Sequence, residues 1–401
     1  MDYFLNAKRG IVRFFLLISC FSSCLFSYEL VVASMFYNEA PYLREWVEYH
    51  RMAGVDHFWL YNDNSTDNWE EVLLPYMEEG LVEVFNWPIY PSTAFINVFE
   101  KDTSLLKEPL EKDELPYVEE TAIGLTSTNE GIPEANSSVE SSNDTIGVVE
   151  VKPIAEETAK FLSIGSSFWS YYNFIGRQCM VFKESLKKGN GVAKWVTFID
   201  IDEFILPMKG ASIPECLDKY FSDAQAIYVN WRCFGTGGVN IPKGESLLFN
   251  LTACSLQSHP RNAVGKMIIR PECASINITP YWWECSMPYS PHFCFLKEEG
   301  IYCNGSGEKI YPIQGEDFKT DGFTHAKYLR INHYTMRDES FFSNVRLERL
   351  RSMGKIEEAE LNIEHNKHFS LVKDFAMINF LKKNYPDAES KLKLDTLELN
   401  K

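Results

Sequence analysis

At 401 residues with 45% apolar side chains, the chain is long enough for one large domain or two ordinary ones and can fill a sizeable core. A formal net charge of −17 and a pI near 5.0 argue against a protein that tracks a phosphate backbone, because such binding relies on clustered Lys and Arg. Nucleic acid is not expected as a partner.

Lys8, Arg9 and Arg13 precede an apolar run over 14–26 that only Ser and Cys interrupt, and Ser27-Tyr28-Glu29 follows. Residues 1–28 read as a secretory signal peptide, which implies the secretory pathway or export. A signal-anchor with membrane association is the rival reading, but the run is short for a spanning helix and strand-like sequence resumes at Leu30 without a stem. Cys24, in Phe-Ser-Ser-Cys, loosely resembles a lipoprotein acylation site, although Phe is a poor residue at its start. Without Cys20 and Cys24, eight cysteines remain, seven of them between Cys216 and Cys303, with no CxxC pair to suggest structural zinc. An oxidising compartment would pair some of them; buried free thiols are the alternative. Sequons stand at Asn64, Asn136, Asn143, Asn250, Asn277 and Asn304.

In chain order, the apolar run 30–36 predicts a strand buried on both faces. Tyr42, Leu43, Trp46, Val47 and His50 then recur at helical spacing, with Glu45 and Glu48 off the stripe. A second strand over 57–61, a helix over 69–77 and a third strand over 81–87 complete a βαβαβ half of a doubly wound sheet. Residues 102–165 are rich in Glu, Ser, Thr, Asn and Pro. They predict a disordered acidic insertion, with a small ordered subdomain as the alternative. A helix over 168–186 leads into the strand 195–199 and the turn Asp200-Ile201-Asp202-Glu203-Phe204. Strand-like stretches follow at 226–231, 266–270 and 328–334, and two amphipathic helices at 339–352 and 371–384 close the chain. The expected organisation is one domain over 29–390 with a tail over 391–401.

Acidic residues normally avoid buried strands, so Asp200, Asp202 and Glu203, set between Trp-Val-Thr-Phe-Ile and Phe-Ile-Leu, need a charged partner. In an open α/β sheet ligands sit beyond the carboxyl ends of the strands, where this turn falls. Two Asp separated by one residue can point oxygens at one divalent cation, and hard oxygen ligands suit Mg²⁺ or Mn²⁺. Such a cation would bridge a diphosphate and stabilise the charge on a leaving nucleoside diphosphate. Asn62-Asp63-Asn64-Ser65-Thr66-Asp67 closes the second strand at the same edge. Asp63 there is a candidate for a nucleoside hydrogen bond, and Asp67 is expected to cap the helix near Trp69. Lys266 and Arg270, four apart on a strand, share a face from which they can meet phosphate oxygens; solvated surface charges are the alternative.

These stretches together resemble glycosyltransferase family 92, a group with a GT-A fold. The resemblance is carried by Phe36-Tyr37-Asn38-Glu39-Ala40, Glu45-Trp46-Val47-Glu48-Tyr49-His50, Tyr61-Asn62-Asp63-Asn64-Ser65 and 195–204. Asn230-Trp231-Arg232-Cys233-Phe234-Gly235, Lys266-Met267-Ile268-Ile269-Arg270-Pro271, His292 and Asn332-His333-Tyr334 continue it in order, over about 30–351. It implies a GT-A-like α/β fold: a Rossmann-type nucleotide-binding half with a mixed central sheet, then acceptor-side elements and helices. It further implies a metal-dependent hexosyltransferase that uses a UDP-sugar, galactose favoured, with Mn²⁺ (or Mg²⁺) and a glycan or polysaccharide acceptor. Asn38, Glu39, Asp63, Asp200, Lys266 and Arg270 would then bind the nucleotide-sugar, and Asp200, Asp202 and His333 the metal. The family looks inverting, which calls for a base on the acceptor hydroxyl. Glu284, in Tyr-Trp-Trp-Glu, is the candidate because adjacent aromatics suit a sugar face and raise basicity; His292 is either a second candidate or a core histidine. Two other classes compete: a catalytically inactive sugar-binding protein of the same fold, and a metal-dependent phosphoesterase, which would want two metals and more His ligands.

Overall fold

The computed structural model describes residues 26–86, 166–276, 289–311 and 325–393, with backbone alone at 166–177 and 289–290. Most of the expected signal segment, the whole acidic insertion 102–165, Glu284 and residues 394–401 lie outside the described residues. Among the described residues no helix is long and apolar enough to cross a membrane.

The unbroken apolar run at the start forms β1 (Tyr28–Phe36), followed by α1 (Ala40–Met52), β2 (His57–Asn62), α2 (Trp69–Glu78) and β3 (Val82–Asn86). Strands β1, β2 and β3 pair in parallel. Helix α3 (Ser166–Gly189) leads to β4 (Ala193–Phe198), which pairs in parallel on the other side of β1. Beyond the acidic turn come β5 (Glu203–Pro207), α4 (Ile213–Tyr220), β6 (Ala226–Cys233), β7 (Ala253–Cys254) and β8 (Gly265–Ile269). Short strands β9 (Tyr289–Ser290), β10 (Phe293–Cys294), β11 (Tyr302–Asn304) and β12 (Lys309–Ile310) precede β13 (Leu329–His333) and β14 (Val372–Lys373). The main sheet runs β12-β11-β6-β8-β4-β1-β2-β3, and β13 branches from β6 to carry β5. Strand β8 is antiparallel to both β4 and β6, so the sheet is mixed, as expected.

Both faces are covered, which explains why β1 and β2 read as continuous apolar runs rather than alternating ones. Leu43, Trp46 and Val47 of α1 pack with Leu73 of α2 on one face. Cys179, Val181, Phe182 and Leu186 of α3 pack against the other. Gly265 opens β8 at a close approach: a Cβ there would collide with the backbone carbonyl of Val229 on β6. The missing side chain lets the two strands meet and sets the next residue, Lys266, at the sheet edge.

Three local expectations change. Strand β5 begins at Glu203, inside the stretch read as a turn. The helix expected over 371–384 starts only at Ala376, because 372–373 form β14 against β7. Asp374 fixes that break, accepting from the two terminal Arg330 nitrogens, Nη1 and Nη2 (2.8 and 3.0 Å), and from the Ala376 N–H (2.9 Å). A further helix, Ile356–His368, had no clear stripe and buries only Ala359 and Asn362. The seven described cysteines, from Cys179 to Cys303, are free thiols.

Candidate active site

Strand direction gathers the chemistry. The carboxyl ends of β1, β2, β4, β6 and β13 share one edge, and the antiparallel β5 and β8 begin there. That edge therefore collects Asn38 and Glu39 after β1, Asp63 after β2, Asp200 and Asp202 after β4, Glu203 at the start of β5, Lys266 near the start of β8 and His333 at the end of β13.

Helix α1 holds the acidic turn from beneath. Trp46 Nε1 donates to the carbonyls of Asp200 (3.2 Å) and Glu203 (3.0 Å), and the Tyr49 hydroxyl donates to that of Ile205 (2.8 Å). His50 Nδ1 donates to the Trp46 carbonyl (2.8 Å), which leaves Nε2 to accept the Ile205 N–H (3.3 Å). Burial pushes His50 down to about 3, so this ring is neutral. The Glu-Trp-Val-Glu-Tyr-His stretch is thus a clamp as well as an apolar stripe. Glu45, read from the sequence as lying off the stripe, is half-buried and accepts from Ser246 Oγ and the N–H groups of Leu247 and Leu248. Asp67 likewise differs from expectation: it accepts the Ala40 N–H at 2.8 Å and so serves the start of α1, not of α2.

Two charge groupings occupy the turn. Lys266, fully buried, places Nζ 3.0 Å from Asp200 Oδ2 and 3.6 Å from Glu203 Oε2. Gln178 Nε2 donates to the other Asp200 oxygen at 3.0 Å, and the Asp200 N–H donates to Glu203 Oε2 at 2.9 Å. Burial raises Glu203 to about 7, against the pull of Lys266. The second grouping pairs Asp202 Oδ1 with His333 Nε2 at 3.5 Å. Burial opposes both charges, yet each outweighs it for the other: Asp202 is held well below the usual carboxylate range and His333 is pushed up to about 10. The Trp231 ring packs on His333, centroids 4.3 Å apart.

The expected three-ligand set is therefore not assembled as a unit. Asp200 turns to Lys266, and among the described residues no group of three or more His, Cys, Asp or Glu side chains gathers as a metal site. Asp202 and His333 do fit a cation as a pair. Asp202 Oδ1 is buried and has no hydrogen-bond partner, and a carboxylate oxygen facing an imidazole nitrogen is a donor set that divalent cations accept once the imidazole loses its proton.

The remaining candidates separate. Asn38, in the left-handed region at φ 55°, donates its N–H to Ser65 Oγ and accepts from the Thr66 N–H, while the Asp63 N–H donates to the Phe36 carbonyl. The loops after β1 and β2 are thereby tied together. Arg270 lies just past the far end of β8 and away from the site: it donates to the carbonyls of Ala224 and Ser222 and stacks on Trp195. Alternation put it on the face of Lys266, but an antiparallel β8 carries it to the opposite edge. His292 is near the site, with Nδ1 2.7 Å from the Gly265 carbonyl and its ring against Trp231. Burial lowers it to about 3, which makes it a poor proton acceptor and supports the core reading. Reading the sequence missed Arg337, which lies 2.7 Å from Glu39; only its place four residues after His333 hinted at it.

A mixed sheet covered by helices, with an acidic turn at the carboxyl edge of its parallel strands, is a GT-A-like α/β architecture. The chain belongs to glycosyltransferase family 92: that family model matches residues 28–108 and 147–292, more than half of the sequence. It is 42% identical over 62 residues to a glycosyltransferase family 92 protein of Arabidopsis thaliana, covering 15% of this chain and 11% of that one. It is also 41% identical over 46 residues to one of Ricinus communis and 43% identical over 47 residues to one of rice, each match covering 12% of this chain and 8% of the relative. These alignments thus span about a tenth of the relatives' own length.

Proposed function

We propose that this protein is a metal-dependent glycosyltransferase that moves a hexose, galactose favoured, from a UDP-sugar to a glycan or polysaccharide acceptor with inversion. The observation that carries the reading is Asp202 Oδ1, buried without a hydrogen bond and 3.5 Å from His333 Nε2, at the edge of the sheet where α/β folds bind ligands. Asp202 and His333 would hold Mn²⁺ or Mg²⁺, which when bound supplies Lewis-acid neutralisation of the charge on the departing diphosphate. Trp46, Tyr49 and His50 keep the turn rigid by bonding its backbone, so Asp202 needs no reorganisation during the reaction. Lys266 fixes Asp200 and offsets the charge of Glu203. The tied loops of Asn38 and Asp63 supply polar groups for the nucleoside. Glu284 is the proposed base that takes the acceptor hydroxyl proton.

The Lys266–Asp200 pair favours a second reading, a sugar-binding protein that keeps the fold without turnover, because it withdraws one of the two aspartates from a cation. A panel of UDP- and GDP-sugars, with and without Mn²⁺ and with a glycan acceptor, separates the two. A transferase releases UDP in a metal-dependent way that Asp202→Ala abolishes. A binding protein shows donor-dependent thermal stabilisation and no nucleotide release, and inorganic phosphate release without an acceptor would instead indicate a phosphoesterase.

A further inference from the structure

Arg337 is buried, with 3% of its surface exposed, yet its Nη1 has no hydrogen-bond partner. Its other terminal nitrogen, Nη2, donates to Glu39 Oε2 at 2.7 Å, and the guanidinium lies 3.7 Å from the centre of the Tyr42 ring. One end of the fork is thus held, one face is stacked, and the second end is left with two N–H groups unused. A guanidinium so constrained gives up little freedom when an anion arrives. Its backbone is equally constrained: φ is 55°, left-handed for a residue with a Cβ, as at Asn38 beside Glu39. Such conformations persist where surrounding contacts enforce them, and they collect at ligand sites. Here the contacts run straight to the acidic turn, since the Tyr334 N–H donates to the Asp202 carbonyl (2.8 Å) and the Arg337 N–H donates to the Tyr334 carbonyl (2.8 Å).

We infer that Arg337 Nη1 is a hydrogen-bond donor to the distal phosphate of a nucleoside diphosphate, with Glu39 acting as the positioning residue that aims it. The inference rests on the donor reading proposed above and names a residue that reading did not use. The local charges require such a partner. Glu39, Asp200 and Asp202 already crowd this edge, and a diphosphate adds further negative charge. Lys266 is committed to Asp200 and Glu203, and Arg270 lies at the other edge. The Arg337 backbone is tied through Tyr334 to Asp202, beside the proposed cation, while Glu39 holds its side chain from the loop after β1; the phosphate nearer the cation is therefore the one assigned to it. Planar guanidinium N–H groups match phosphate oxygens in geometry as well as charge.

The test is calorimetric titration of UDP and of UMP, each with Mn²⁺, into the wild-type protein and into the Arg337→Met and Arg337→Lys variants. The wild type should bind UDP more tightly than UMP. Arg337→Met should weaken UDP by roughly 10- to 100-fold while leaving UMP within about threefold, and Arg337→Lys should fall between. Unchanged UMP affinity shows that the variant remains folded; if Arg337→Met does not fold, the same ratio in Arg337→Lys decides the matter. Equal weakening of UDP and UMP, or no weakening of UDP, overturns the inference and leaves the donor reading intact. A wild-type protein that binds neither nucleotide overturns both.

Discussion

Lys266→Met is the substitution whose cost follows most directly from the structure. Methionine keeps nearly all of the side-chain volume, so the packing loss is small and the effect is electrostatic. The lysine faces two carboxylates that differ in exposure. Asp200 has a third of its side chain in solvent and can rehydrate, so losing that contact costs little. Glu203 has no exposed surface, and one of its oxygens, Oε1, has no hydrogen-bond partner. Stranding a buried charge by deleting its partner costs about 3–5 kcal/mol. Burial already holds Glu203 at about 7 beside Lys266, so protonation relieves the stranded carboxyl at neutral pH. We expect about 2–3 kcal/mol in urea unfolding at about pH 9, seen as a lower midpoint at unchanged slope, and less than about 1 kcal/mol at about pH 7. Glu203→Gln in the Lys266→Met background should recover most of it, whereas Asp200→Asn in the same background should recover less than about 1 kcal/mol. A cost below about 1 kcal/mol for Lys266→Met at about pH 9, or rescue through Asp200 rather than Glu203, would refute the assignment of the penalty to Glu203.

Asp202→Asn should lower Mn²⁺-dependent transfer by about 100-fold or more and remove Mn²⁺-induced thermal stabilisation; an unchanged metal response would move the cation site elsewhere. Asp67→Ala should cost about 0.5–2 kcal/mol by freeing the Ala40 N–H at the start of α1, read from chemical denaturation. His50 gives a pH dependence of definite sign. Its folded pKa, near 3, lies below its unfolded value of about 6.5, so the unfolded chain binds more protons between those limits. The contribution of His50 to stability should therefore be level above about pH 6.5 and fall on acidification. His50→Gln should flatten that fall by up to about 1.4 kcal/mol per pH unit between pH 4 and 6, and identical slopes in the two proteins would assign the titration to other groups. Asn304 is buried and bonded through Nδ2 to Glu308, so its sequon should carry no glycan in folded protein made by a glycosylating host, as glycopeptide mapping would show.

Periodicity and residue type sufficed for the βαβαβ half, the strand before the acidic turn and the turn itself. Those features are local: an apolar run long enough for a buried strand, a helical stripe, and acids placed where a sheet interior ends. The motif order also carried the family, which the match over 28–108 and 147–292 bears out. What the sequence could not contain was strand direction. An antiparallel β8 brings Lys266 to the acidic turn and takes Arg270 to the other edge, though both belong to one motif four residues apart. Pairing of β13 with β5 sets His333 against Asp202 rather than Asp200, and a left-handed turn welded to the Asp202 carbonyl buries Arg337 beside Glu39. Charge type and spacing along a chain say what a residue can do; which charges meet, and which remain unpaired, depends on contacts between segments 66 or more residues apart, and only the tertiary structure decides those.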